Sequence, residues 1–127
     1  KNLGMPRSHN IAGYTLMLSI WKNYKFVALA GVEHSWTKNL FVTENNEALL
    51  SQPHFYNPDA SPKKMTKKGK DRRRLHEILG KFYYAFKSYF DILEYAKRKN
   101  VKIYNLTNNS FIDAFDRKNI NEFLSED

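Results

Sequence analysis

Leu75-His-Glu-Ile-Leu-Gly-Lys-Phe-Tyr-Tyr-Ala-Phe-Lys-Ser-Tyr-Phe-Asp-Ile-Leu-Glu-Tyr-Ala-Lys-Arg-Lys99, then Asn100, then Val101-Lys-Ile-Tyr-Asn-Leu106, is the stretch that decides the fold. Leu75, Ile78, Leu79, Phe82, Phe86, Tyr89, Phe90, Leu93 and Ala96 recur at three- and four-residue steps, the spacing of one apolar stripe along a long helix. Each large side chain fully buried by such a stripe contributes about 1.5–3 kcal/mol, so its aromatics read first as core. Asn100 is a helix stop, and residues 101–106 read as a strand.

Upstream, Phe26-Val-Ala-Leu-Ala-Gly31 is a short unbroken apolar run ending in Gly, as expected of a strand buried on both faces in a parallel sheet. Ile11 to Asn23 reads as a helix covered on most sides, with Ser8 or Asn10 as its cap and residues 1–10 as a lead-in loop. Two strands joined through a packed helix form a parallel crossover. The fold class is therefore α/β: a Rossmann-like half domain with parallel strands, a long crossover helix and a long loop excursion. Ligands of such sheets bind beyond the carboxyl ends of the strands, here Gly31–Trp36 and Asn105–Ser110.

The excursion runs from Val32 to Arg74. Leu40–Thr43 and Ala48–Leu50 pair as a hairpin around Glu44-Asn-Asn-Glu47, because Asn accepts the positive φ of tight turns. Pro53, Pro58 and Pro62 then hold the chain out of regular structure, and residues 119–124 form a last short helix. Long excursions of this kind tend to carry function.

A chain of 127 residues is sized for a single domain spanning 1–127, and its first residue, Lys1, reads as the start of a piece cut from a longer protein. The net charge is +8, and +7 of it sits between Lys63 and Arg74, where eight basic residues stand against Asp71. The remainder is nearly neutral, so the charge belongs to one segment: a solvated loop, or a clamp for phosphate. With no cysteine, disulfides, thiolate metal sites and a cysteine nucleophile are excluded. The longest apolar stretch, Ile11–Trp21, is too short for a membrane span.

Glu33 and His34, with Ser35 and Trp36, stand at the predicted strand edge and bring a carboxylate, an imidazole, a hydroxyl and an indole together. Glu33 or His34 suits general-base work, imidazole being the group that titrates nearest neutrality. The alternative is that Glu33 caps a turn and Trp36 packs the loop. His54 is a second candidate in the excursion. The four histidines lack metal-ligand spacing, and no phosphate-binding Gly-rich loop or nucleophile elbow is present, so neither metal nor cofactor is expected.

The run Asn10 to Trp36 resembles the C-terminal half of bacterial proteins that make surface carbohydrate. These belong to a Rossmann-like superfamily that includes lipooligosaccharide sialyltransferases and 6-hydroxymethylpterin diphosphokinase-like proteins. The shared pattern is a small-residue helix start, the turn Asn23-Tyr-Lys-Phe-Val27, and a strand ending in Gly31, Val32 and an acid, Glu33. Glu44-Asn-Asn46, His54-Phe-Tyr56, Val101–Tyr104 and Asn109-Ser110 are further similarities, and the likeness spans about residues 7–113. It implies a cytoplasmic glycosyltransferase-like protein, or one peripheral to the inner face of the membrane, with a nucleotide-sugar or phosphorylated small molecule and a carbohydrate acceptor as partners. It further implies Glu33, His34, His54 and His76 in catalytic roles and Ser35, Trp36, Asn45, Asn46 and Tyr56 as ligand contacts. Lys67, Lys68, Lys70, Arg72, Arg73 and Arg74 would neutralise the phosphates from a mobile segment.

The sequence departs from the family in three places. Glu33 stands where Asp is usual, His9 stands where an Arg precedes the helix-start Gly13, and the Gly-Asn-Gly-type nucleotide turn has no counterpart. A polypeptide lacking that turn is expected to be catalytically silent, and donor turnover by the 127-residue chain would contradict this.

Two other classes remain open at this level: a binding module for nucleic acid or an acidic partner, and a non-catalytic structural domain. The absence of a nucleic-acid motif argues against the module. A run gripping seven or eight phosphates would make log affinity for duplex DNA fall with log salt at a slope of about −6 to −7. We expect a filter-binding titration of duplex DNA to show no such slope.

Overall fold

The computed structural model describes residues 4–51, 61–66 and 72–125. The chain divides into two compact units, Lys1–His34 with Tyr84–Asp127, and Ser35–Tyr83.

The first unit is built on a parallel sheet of β1 (Phe26–Leu29), β5 (Lys102–Asn105) and β6 (Asp116–Arg117), in the order β1-β5-β6. Val27 pairs with Ile103 and Leu29 with Asn105, so these four share one face, while Phe26, Ala28 and Tyr104 share the other. Helix α1 (Ile11–Trp21) and the second part of α2 (Leu75–Arg98) cover the first face. They supply Leu16, Met17 and Ile20, and Tyr89, Ile92, Tyr95 and Ala96, to one cluster with Leu29 and Ile103. On the opposite face Tyr104 stacks on Phe26 and meets the ring of Phe123 from α3 (Ile120–Leu124) edge-on.

Sequence and structure differ in instructive ways. The apolar run of β1 suggested burial on both faces, yet only Leu29 is buried, because β1 lies at the sheet edge and β5 takes the centre. Helix α1 is likewise covered on one side only: Ile11, Tyr14, Leu18 and Trp21 are exposed, with Ile11 at 80%. On α2 the buried stripe is Ile78, Phe82, Ala85, Tyr89, Ile92 and Ala96, whereas Leu75, Leu79 and Phe90 face outward. The true seam is rotated slightly from the one drawn through the largest residues.

Helices α1 and α2 end alike. At the end of α1 the Asn23 and Tyr24 amides bond back to Ile20 and Ser19 carbonyls, and at the end of α2 the Asn100 and Val101 amides bond to Lys97 and Ala96. Each is a Schellman closure with Asn in the left-handed region, at φ 57° and 55°. Each turns the chain directly into a strand, which sets β1 and β5 side by side.

In the second unit β2 (Leu40–Val42), β3 (Ala48–Leu50) and β4 (Lys63–Lys64) form an antiparallel sheet, with β3 central. The hairpin expected from the sequence is present. Thr43 and Glu47 close its turn, where Asn46 has φ 57°. Strand β4 was not legible beforehand, being two lysines. Helix α2 starts after Arg74, whose amide donates to the Glu77 carboxylate at 2.9 Å, half of a capping box.

At Gly13 α1 packs tightly against α2, since a Cβ there would lie 3.2 Å from Ile92 Cδ1. Replacing Ile92 by Ala should therefore open a cavity in the α1–α2 contact and cost about 2–5 kcal/mol. Phe90→Ala, on the outward side, should cost less than half as much; urea midpoints of the two variants check the rotation of the seam.

Candidate functional site

The carboxyl ends of β1 and β5 are stitched together by side chains that the local sequence supplies in pairs. Thr107 Oγ1 donates to the Leu29 carbonyl at 3.4 Å and accepts the Val32 amide at 3.1 Å. Ser110 Oγ donates to the Val32 carbonyl at 2.8 Å and accepts the Ile112 amide at 3.2 Å. Asn105, fully buried, bridges the Thr107 amide and the Ile112 carbonyl, and Arg117 Nη2 donates to the Ser110 carbonyl at 2.6 Å. The Phe111 amide closes on the Glu33 carbonyl at 2.7 Å. Two loops are thereby fixed side by side at the edge where parallel sheets bind ligands. Asn105, Thr107 and Ser110 are committed to this scaffold, and Glu33, Asn108 and Asn109 are the exposed groups.

His34 ends the β1 loop in the left-handed region, at φ 51°, a conformation that costs a non-glycine residue energy and collects at functional sites. Its Nε2 lies 2.6 Å from the Tyr89 hydroxyl, and Phe86 meets the ring edge-on. Tyr89, fully buried, donates in turn to Asn10 Oδ1 at 3.0 Å. Asn10 Oδ1 also accepts the Gly13 amide at 2.8 Å, capping α1. Ser8 Oγ donates to the Asn10 carbonyl at 2.6 Å and sits where a Cβ on Gly13 would fall, at 2.7 Å. His9 stacks on Tyr84. A chain of hydrogen bonds thus joins the α1 cap, the core of α2 and the exit of β1. Burial lowers the His34 pKa to about 4 and raises that of Tyr89 to about 12. Both are neutral near pH 7.

The structure sorts the residues singled out from sequence. Glu33 and His34 stand at the sheet edge as expected. Tyr89 and Asn10 join them without having been singled out for chemistry, because Tyr89 is one more aromatic in a core stripe and Asn10 a plausible cap. In the second unit, Ser35 and Trp36 begin a 3-10 turn (Trp36–Asn39), and Trp36 stacks on Phe82 with ring centroids 5.4 Å apart. Trp36 therefore packs its loop, which was the alternative reading. Asn45 and Asn46 form the hairpin turn. Asn46, Arg74 and His76 line an open hollow of about 420 Å³ with Val42, Ala48 and Leu75.

The flanks of the basic run are held in place. Lys64 pairs with Glu47 at 2.7 Å and Arg72 approaches it at 3.7 Å. The hydrogen bond from Lys64, together with both positive charges, holds the Glu47 carboxyl below the usual carboxylate range. The Arg73 amide bonds to the Met65 carbonyl and its Nε to the Thr66 carbonyl. Lys64, Arg72 and Arg73 thus each bond to neighbouring chain, whereas Arg74 is engaged through its backbone amide. His54, Tyr56, Lys67, Lys68 and Lys70 lie outside the described residues. No helix among the described residues is long and apolar enough to cross a membrane.

Comparison with models of protein families, with curated proteins and with solved structures gave no match.

The lowered pKa of His34 has a consequence for stability. In the unfolded chain the ring titrates near 6.5, so between about pH 6.5 and 4 the unfolded state binds the extra proton. The stabilisation is fully present above pH 6.5 and is lost as pH falls toward 4. Asn tolerates the left-handed region, so His34→Asn should fold and show a shallower decline of melting temperature between pH 7 and 4.5 than the unaltered chain.

Proposed function

We propose that the chain carries the acceptor-activating part of a glycosyltransferase-like enzyme of bacterial surface-polysaccharide or lipooligosaccharide synthesis, with a nucleotide-sugar donor. The observation that carries this reading is the Glu33–His34 turn, with His34 in the left-handed region and held by Tyr89, at the carboxyl edge of two parallel strands. The sequence resemblance of residues 7–113 supplies the reaction class, and the α/β sheet agrees with it.

In this reading His34, neutral at physiological pH, takes the proton of an acceptor hydroxyl. The acceptor oxygen forms its bond to the anomeric carbon, and the donor's phosphate leaves with the electron pair of the broken carbon–oxygen bond. Glu33, Asn108 and Asn109, exposed at the same edge, are the groups placed to bind sugar hydroxyls.

The test is binding to the 15N-labelled chain, followed by amide shifts while nucleotide-sugars are titrated. Shifts centred on 31–34 and 106–110 are expected, with reduced response in Glu33→Ala. Shifts confined to 72–74, or none at millimolar donor, would overturn the proposal.

A further inference from the structure

The hydrogen bonds that end at Asn10 permit one arrangement of protons. Asn10 Oδ1 accepts the Gly13 amide at 2.8 Å, so its oxygen, and not its amide nitrogen, faces Tyr89. The Tyr89 hydroxyl has a single proton and gives it to that oxygen. At the 2.6 Å contact with His34, Tyr89 must then accept, and Nε2 must carry the proton. The other neutral tautomer would set two lone pairs against each other at that distance. A neutral ring protonated at Nε2 has its basic lone pair at Nδ1.

We propose that Tyr89 and Asn10 are positioning residues of the Glu33–His34 site, which hold His34 as the Nε2–H tautomer so that Nδ1 is its basic nitrogen toward an acceptor hydroxyl. The role toward a hydroxyl rests on the transferase reading above; the proton arrangement rests on geometry alone. Asn10 Nδ2 supports the assignment, being buried without a hydrogen-bond partner among the described residues. Such an orphan donor is destabilising, and the amide is oriented to serve its oxygen's two donors instead. Among the groups the ring meets are Tyr89 and Phe86 of α2, and Glu33 is its neighbour in the chain.

Long-range 1H–15N correlation of the histidine rings in the 127-residue chain at pH 7 reads the tautomer without any ligand. We expect His34 as the pure Nε2–H form, with a downfield, slowly exchanging Nε2 proton. Tyr89→Phe keeps the ring and removes the acceptor, so that proton signal should vanish. Asn10→Asp keeps both the cap and the acceptor, so the signal should persist while the carboxylate moves the His34 titration midpoint up by about 1 pH unit. An Nδ1–H ring in the unaltered chain, or an unchanged Nε2 proton in Tyr89→Phe, would overturn the proposal. Because no donor is present, failure of nucleotide-sugar binding and failure of the tautomer assignment are seen separately.

Discussion

A buried phenol needs a partner for its hydroxyl, since an unsatisfied O–H withdrawn from water costs more than the bond gains. Tyr89 is fully buried between α1, α2 and the β5–β6 connection, where its ring meets Phe115 edge-on. Its hydroxyl can be satisfied only by groups brought from elsewhere in the chain, and those are Asn10 before α1 and His34 after β1. The demand of one core hydroxyl therefore fixes where α1 begins and where the β1 loop turns. Packing and site geometry are here the same requirement.

That requirement is met only because the backbone delivers the loops to one edge. Two Asn-closed helix ends feed β1 and β5 in the same direction, so both strands finish together. The connection from β5 to β6 then runs without a helix, its place taken by Ile112, Ala114 and Phe115, which bury into the cluster beneath α1 and α2. Loop backbone so placed must have its amides and carbonyls satisfied. Thr107 and Ser110 do this by donating and accepting once each, which leaves the exposed Glu33, Asn108 and Asn109 at the rim.

The parallel α/β arrangement was legible because it rests on patterns local to each segment: a three-four stripe, short apolar runs and Asn100 after the long helix. What was not legible depends on pairing across distance. Nothing in Phe26–Leu29 distinguishes an edge strand from a central one, and nothing in Lys63–Lys64 announces a strand, since both follow from which neighbour lies alongside. Glu33 and His34 could be found from their place after a strand. Tyr89 could not, because its hydroxyl differs from the surrounding phenylalanines only once Asn10 and His34 are seen against it. The basic run shows the converse: its charge was conspicuous in sequence, yet Glu47, distant from it along the chain, engages Lys64 and Arg72.

The choice of an amide at position 10 carries a further physical meaning. A carboxylate there would cap α1 at least as well and would leave no orphan N–H. It would also place a negative charge on the far side of the Tyr89 hydroxyl, favouring protonation of His34 and raising its titration midpoint. The amide oxygen accepts the same two hydrogen bonds without that charge. The cost is a buried Nδ2 without a partner among the described residues, added to the left-handed backbone at His34, each of order 1–3 kcal/mol. Against a stability of about 5–15 kcal/mol for a typical domain, those are not small terms. Both lie in the hydrogen-bonded chain from Asn10 through Tyr89 to His34, which holds the imidazole in one tautomer.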